Sequence, residues 1–277
     1  MSNLENRVAD HYHIGGLEKS IMDGLAAAGA DLKALRPEDL APVDEFHTAG
    51  RLTTLRALEL TPIERGMHIL DAGCGIGGTA RCLAVARDCQ VTGLDLSQSF
   101  IEVARRLTEM MGLSRTCDFV HGSATDMPFE ATSFDAGVSF HAAMNIEDRS
   151  RFYGEFARVL QPGAPLCIFD VMKGPTPGMT YPVPWAETEA TSFLKSSEET
   201  RNLLGEAGFD VVTEDNLREF SIDYFRNLLA KAAKSDGPPP LGLHLLTGTN
   251  AAEKFNNYAE ALEAQQIEPV ILVAKLR

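Results

Sequence analysis

The residues best suited to bind a ligand form a glycine-rich turn. A short apolar run ends at Asp71 and leads into the segment 72–78, Ala-Gly-Cys-Gly-Ile-Gly-Gly. Glycine lets the backbone approach a ligand closely, and a helix that begins after such a turn presents unpaired N–H groups. The spacing Gly73-x-Gly75-x-x-Gly78 also fits the dinucleotide fingerprint, so the glycines alone do not identify the ligand.

Two carboxylates narrow the choice of ligand. Asp71, just ahead of the turn, would repel a pyrophosphate and attract a sulfonium or an ammonium. Asp95 follows Gly73 by about twenty residues and ends the next predicted strand, where a carboxylate accepts hydrogen bonds from ribose hydroxyls. The chain has no G-K-[ST] signature, so the turn is not a nucleoside-triphosphate loop.

The elements that position this turn alternate between apolar runs and helical periodicity. Strands are predicted at 67–71, 90–95, 117–121, 134–140, 166–170, 209–212 and 269–274. The pattern predicts an α/β fold with a doubly wound, mostly parallel seven-stranded sheet. Ser99-x-x-Glu102 and Ser196-x-x-Glu199 fit capping boxes that begin two of the helices.

The remaining sequence is helical and lies at the N-terminus and near the C-terminus. We expect a helical cap segment over 1–59, a sheet domain over 60–277, and a helical lid inserted at 218–265. Ligands of open α/β sheets bind beyond the carboxyl ends of the strands, where such additions cover them.

Composition excludes several classes of function. The 277 residues carry a formal charge of −14, which would repel a nucleic-acid backbone. Apolar runs fall short of the about 20 residues that span a bilayer, and residues 1–10 have no apolar core typical of a signal peptide. None of the five cysteines forms a C-x-x-C pair, so neither a metal site nor a disulfide framework is indicated. We therefore expect a cytoplasmic protein that binds neither nucleic acid nor membrane.

Several motifs taken together resemble a known superfamily. They are Asp71-x-Gly73-x-Gly75-x-Gly77, Gly93-Leu-Asp95, Phe134-Asp135 and Arg158-Val-Leu-x-Pro162-Gly163. This series resembles the successive motifs of class I S-adenosylmethionine-dependent methyltransferases, which implies a Rossmann-like fold. Asp44-Glu-Phe-His47 and Pro182-Val-Pro-Trp185 resemble bacterial sarcosine/dimethylglycine N-methyltransferases and, more loosely, ubiquinone/menaquinone C-methyltransferases.

The resemblance implies S-adenosylmethionine as cofactor and assigns residues to it. Its methionine part would be held by Asp71, Gly73 and Gly75, its ribose by Asp95, and its adenine by Leu96 and the backbone of Ala124. Cys74, Gly77 and Phe140 are expected to complete this site. Relatives place Asp before that alanine, whereas this chain has Ser123, whose hydroxyl accepts a hydrogen bond from the adenine amino group more weakly.

The sequence indicates the residues that would contact the methyl acceptor less clearly than those that would bind the cofactor. His141 closes the fourth predicted strand and matches the position that faces the methyl group, so it is the candidate catalytic residue; the alternative is a structural, hydrogen-bonded histidine. Candidate substrate contacts are Tyr12, His47, Asn145, Trp185 and His244. The Trp185 ring would either face a cationic acceptor or pack between its own loop and the core.

These observations predict methyl transfer to a small molecule, with an amine nitrogen as the acceptor. An oxygen or a carbon of a phenol, quinone or other small metabolite is the alternative acceptor. Two other classes stay open at this point: an NAD(P)-dependent oxidoreductase, and a cofactor-binding module without catalysis. We expect a monomer or a homodimer.

Overall fold

The computed structural model describes residues 3–232, 234 and 237–277, and within them eleven α-helices and seven strands. The helices are α1 (Asn3–His11), α2 (Leu17–Ala27), α3 (Pro37–Asp44), α4 (Arg51–Leu60), α5 (Gly78–Arg87), α6 (Gln98–Met110), α7 (Arg149–Val159), α8 (Ser197–Glu206), α9 (Arg218–Ala232), α10 (His244–Thr247) and α11 (Ala251–Glu263). The strands are β1 (His68–Ala72), β2 (Gln90–Asp95), β3 (Cys117–His121), β4 (Ala136–Phe140), β5 (Pro165–Lys173), β6 (Phe209–Asn216) and β7 (Ile267–Leu276).

The strands form one sheet in the order β3-β2-β1-β4-β5-β7-β6. All neighbours are parallel except β7, which runs antiparallel to β5 and β6. The predicted Rossmann-like, mostly parallel seven-stranded sheet is therefore confirmed. The strand order reverses at β1, which pairs with β2 on one side and β4 on the other, and the carboxyl ends of these strands meet there.

Burial on both faces of the sheet explains why its strands are apolar runs rather than alternating patterns. Ile69 packs into one cluster with Val138 and the helix α5, and Leu70 packs into a second cluster with Phe156 of α7. Successive side chains of a strand point to opposite faces, so both must be apolar when helices cover both faces.

Helix starts follow side-chain caps, one of them not as predicted. Ser196 and Glu199 form the predicted capping box of α8. For α6 the predicted cap Ser99 is wrong: the helix begins at Gln98 and the hydroxyl of Ser97 accepts the N–H of Phe100. The Ser97 N–H is held by the Asp95 carboxylate at 2.8 Å, which starts the helix two residues earlier.

Two further apolar clusters attach the covering helices to the sheet domain. One joins α2 to α6 and to the segment around α10, and the other joins α9 and α11 to the loop after β5. The buried Arg81 of α5 forms an ion pair with Asp44 of α3 and donates to the carbonyl of Ile76. This arginine therefore ties the N-terminal helices to the glycine turn. The proposed boundaries at 1–59 and 218–265 stay predictions.

Candidate active site

A large cavity lies at the carboxyl ends of β1, β2 and β4. Its volume is about 1630 Å³, and its walls come from the N-terminal helices, the turns after these strands, and the segment α9–α11. Pockets for single small ligands usually measure about 300–1,000 Å³, so this cavity has room for two adjacent molecules.

The glycine turn forms one wall of this cavity. Gly73, Gly75 and Gly77 have φ values of 84°, 54° and 86°, a region that glycine alone adopts without strain. Gly73, Cys74 and Gly75 line the cavity, whereas Gly77 does not. A side chain at Gly77 would collide with the Phe119 ring, 2.7 Å away, so this glycine permits packing behind the turn.

Asp95 connects the turn to the next loop. Its Oδ2 accepts the N–H of Gly75 and its Oδ1 accepts the N–H of Ser97, each at 2.8 Å. Burial raises the pKa of this carboxyl, although both backbone donors lower it. Asp95, Leu96, Ala124 and Phe140 all line the cavity, and their role as cofactor contacts stays a prediction.

Asp71 lies behind the turn and does not line the cavity. Its side chain is buried, and Oδ2 has no hydrogen-bond partner among the described residues. Burial, with smaller contributions from the carboxylates of Asp95 and Glu45, raises the pKa of Asp71 to about 8. A buried carboxyl with one unpartnered oxygen fits a positively charged group on the other side of the turn, because such a charge would favour its ionised form.

The wall beside Ala124 contains an acidic residue that the sequence did not reveal. The hydroxyl of Ser123 donates to Glu5 of α1, and Thr125 Oγ1 donates to the same carboxylate at 3.3 Å. Ser123 and Glu5 both line the cavity. Glu5 is 118 residues from Ser123 in sequence, and nothing in the local pattern of α1 indicates this contact.

His141 follows β4 directly and has a strained backbone. Its φ is 50°, which is uncommon outside glycine, and its N–H donates to Phe169 O at 2.7 Å. The ring lies 4.6 Å from the Phe169 ring, and Nε2 has no partner in the described ranges. Burial, with a smaller contribution from His47, lowers the pKa of His141 well below its usual value. His141 is therefore a neutral imidazole in the cavity wall.

His47 belongs to a buried chain of hydrogen bonds. Thr54 Oγ1 donates to Glu45 Oε2, and the same hydroxyl lies 3.0 Å from His47 Nε2. Since the only proton of Thr54 goes to the carboxylate, the hydroxyl must accept the Nε2–H of His47. In the neutral ring Nδ1 is then the nitrogen with the free lone pair, and it is buried without a partner among the residues described.

Glu45 keeps a negative charge beside this histidine. Arg51 Nε donates to Glu45 Oε1 at 2.8 Å. Burial alone would raise the pKa of Glu45, but hydrogen bonds from His47, Thr54 and Arg51, and attraction to the His47 ring when it is protonated, lower it to about 2. Glu45 and Thr54 were not among the predicted site residues. For Glu45 the sequence did contain an indication, because this residue stands two positions before His47 in the motif Asp44-Glu-Phe-His47.

The remaining predicted substrate residues also line the cavity, and three of them join its covering segments. Tyr12 OH donates to Asn145 Oδ1 at 2.8 Å, and Asn145 Nδ2 donates to the carbonyls of Trp185 and Thr191 at 2.9 Å each. Trp185 is only 2% exposed, and its Nε1 donates to a serine hydroxyl at 3.0 Å. His244 begins α10, where partial burial lowers its pKa.

Residues 3–232, 234 and 237–277 contain no group of three or more His, Cys, Asp or Glu side chains placed to hold a metal ion. Over the same ranges, no helix combines the length and apolar character needed to cross a bilayer.

The amino-acid sequence of this chain is similar to those of known methyltransferases. Residues 70–168 match the family model described as a methyltransferase domain. An O-methyltransferase of Pyrenophora dematioidea is 32% identical over 179 residues, 64% of this chain and 67% of the relative. The O-methyltransferase cnsE of Penicillium expansum is 32% identical over 227 residues, 81% of each chain.

A solved structure extends the likeness in fold to the whole chain. It is the geranyl diphosphate C-methyltransferase of Streptomyces coelicolor A3(2), in complex with Mg²⁺, geranyl diphosphate and S-adenosyl-L-homocysteine. The TM-score is 0.73 at 16% identity, and the match covers 100% of this chain and 98% of the other. At this identity the likeness concerns the fold.

Proposed function

Because the chain belongs to the class I S-adenosylmethionine-dependent methyltransferases of small molecules, we propose that it methylates a hydroxyl oxygen. The general base in this proposal is His47. The observation that carries the proposal is the buried chain His47–Thr54–Glu45 at the cavity wall. This family membership excludes the alternative of an NAD(P)-dependent oxidoreductase.

The cofactor side of the cavity fits S-adenosylmethionine. Gly73, Gly75 and Asp95 would hold its methionine and ribose parts, and Leu96 and Ala124 its adenine, all from the cavity wall. When bound, S-adenosylmethionine supplies an electrophilic methyl group, whose carbon bonds to the acceptor atom while the sulfur keeps the electron pair of the broken bond.

The hydrogen bonds around His47 prepare it to accept a proton. Nε2 carries the proton that is donated to Thr54, so the free lone pair is on Nδ1. A hydroxyl needs a base in order to attack, whereas a neutral amine does not. When Nδ1 takes the hydroxyl proton, the ring becomes positive, and the ionised Glu45 at 3.6 Å from Nε2 stabilises that charge.

The charges around the cavity favour oxygen over a cationic amine. The buried carboxylates Glu45, Asp44 and Asp170 are each paired with an arginine. A carboxylate already paired with arginine attracts an ammonium group weakly. The amine acceptor predicted from sequence therefore ranks second to the hydroxyl.

The test compares matched acceptors with methyl-labelled S-adenosylmethionine. We expect transfer to 2-naphthol but much less to 2-naphthylamine, and a loss of about 10²–10⁴-fold for 2-naphthol in His47→Asn. The control is His13→Asn, because His13 is exposed and does not line the cavity. Faster transfer to the amine, unaffected by His47→Asn, would reverse the choice of acceptor. Cofactor binding with no transfer to any panel member would favour a module without catalysis.

A further inference from the structure

Two buried ring nitrogens in the cavity wall have no partner. They are Nδ1 of His47 and Nε2 of His141, and neither is bonded within the described part of the chain. Both side chains line the cavity, and their ring centroids are 5.9 Å apart at an interplanar angle of 60°. A buried polar atom without a partner destabilises the folded protein, so two neighbouring ones in one cavity point to a ligand that bonds to both.

From this pair we propose that the acceptor is an aromatic vicinal diol, with His47 bound to the hydroxyl that is methylated and His141 to the hydroxyl beside it. The inference rests on the proposed function and adds the substrate class and a positioning role for His141. The first hydroxyl gives its proton to His47 Nδ1, and its oxygen forms the new bond to the methyl carbon as the bond from that carbon to sulfur breaks. The second hydroxyl keeps its proton and shares a hydrogen bond with His141.

The protonation states of the two histidines suit different tasks. His47 is backed by the carboxylate of Glu45, which stabilises a protonated ring. His141 lies against the Phe169 ring, and burial lowers its pKa well below the usual value, so it stays neutral. Because no carboxylate of the described residues lies behind its ring, His141 holds a hydroxyl by a hydrogen bond and takes no proton from it. The pair therefore distinguishes the oxygen that reacts from the oxygen that only binds.

The backbone holds the second histidine in a strained but fixed position. The φ of 50° at His141 is uncommon outside glycine. It is kept by the bond from its N–H to Phe169 O and by close packing of Ala142 on Gly73. Strain of this kind persists where the surrounding structure fixes it, and it is frequent at binding sites. The same packing fixes the ring nitrogen relative to the glycine turn that would hold the methyl donor.

The other walls of the cavity fit the carbon skeleton of such a diol. Phe225 of α9, Phe255 of α11 and Leu241 line the cavity, and Phe225 is 6.4 Å from Phe255 between ring centroids. An aromatic ring gains from contact with such side chains through burial and edge-to-face packing.

The test measures binding rather than turnover. Calorimetric titrations with S-adenosylhomocysteine present compare 2,3-dihydroxynaphthalene with 2-naphthol, which has the same skeleton and one hydroxyl fewer. We expect the diol to bind about tenfold more tightly, the effect of one hydrogen bond to a buried partner. His141→Phe should abolish this preference, His141→Asn should restore part of it, and His13→Phe should leave it unchanged. Asparagine keeps a hydrogen-bonding group and tolerates positive φ.

The outcomes separate this inference from the proposed function. Equal affinity of the two compounds for the unaltered protein, binding of neither, or an unchanged preference in His141→Phe would overturn the vicinal diol. The comparison of the two compounds on the unaltered protein needs no variant, so it stands even if His141→Phe fails to fold. Transfer to 2-naphthol that depends on His47 but shows no diol preference would overturn only the inference. Transfer to amines alone would overturn both.

Discussion

Neutralising Asp71 should abolish a proton release that accompanies cofactor binding. The carboxyl is buried, has an oxygen without a partner in the described residues, and has its pKa raised to about 8. At pH 7 roughly nine-tenths of it is therefore protonated before the ligand binds. A sulfonium and an ammonium bound across the glycine turn would lower this pKa, just as the negative charge of Asp95 in the same wall raises it.

The number of protons released follows from the fraction of Asp71 that is protonated before the ligand binds. If the bound cation lowers the pKa of Asp71 below about 6, close to one proton leaves per ligand at pH 7, and affinity rises up to tenfold per pH unit until about pH 8. The assay is calorimetry of S-adenosylmethionine binding at pH 7 in phosphate and in Tris buffer, whose ionisation enthalpies differ. Asp71→Asn should bind with the same heat in both buffers, while Asp23→Asn, an exposed aspartate of α2, should behave as the unaltered protein.

The sign of the stability effect can be checked independently. A carboxyl whose pKa is raised by folding keeps its proton where the unfolded chain has lost it, so the ligand-free protein loses stability as pH rises from about 4 to about 8. Asp71→Asn should flatten that dependence. A proton release equal in Asp71→Asn and the unaltered protein would refute the assignment of Asp71 to the cation.

Three further substitutions test how the cavity is held together. Gly73→Ala should abolish S-adenosylhomocysteine binding in calorimetry, because the new methyl group would clash with the Cβ of Ala142, whereas Gly66→Ala, at a similar positive φ but with open space, should bind normally. Arg81→Met should lower the free energy of unfolding in urea by about 3–5 kcal/mol, because the buried Asp44 carboxylate would lose its ion pair; a loss under about 1 kcal/mol would show that this pair does not hold the N-terminal helices. Tyr12→Phe removes a hydrogen bond worth about 1 kcal/mol between the residue after α1 and Asn145, so stopped-flow should show cofactor dissociation about fivefold faster; an unchanged rate would show that this hydrogen bond does not retain the cofactor.

The sheet and the glycine turn could be predicted because their causes are local in sequence. Strands buried on both faces must be continuous apolar runs, and three positive φ values require glycines at 73, 75 and 77. The order of these features along the chain carried the resemblance to class I methyltransferases. The cap of α6 was misplaced by two residues because its start depends on a bond from the Ser97 N–H to Asp95, which the capping pattern does not contain.

The polar contacts of the active site could not be predicted because they join distant parts of the chain. Glu5 reaches Ser123 across 118 residues, and its helix shows only an ordinary amphipathic pattern. The partnership of Glu45 with Thr54 depends on how α3 and α4 pack. The sequence also gave no indication that Asp71 would lie behind the turn rather than in the cavity wall. We therefore expect its effect on a ligand to be electrostatic rather than by direct contact.

The central claim is that His47 removes the proton of the hydroxyl that is methylated. Its most direct test is the single-turnover rate of methyl transfer to 2-naphthol from pH 6 to pH 10 in the unaltered protein and in His47→Asn. A phenolic hydroxyl ionises unaided near pH 10, so the variant should be about 10²–10⁴-fold slower at pH 7 and should approach the unaltered rate at the alkaline end. Equal rates at pH 7, or the same fold loss at every pH, would contradict the claim.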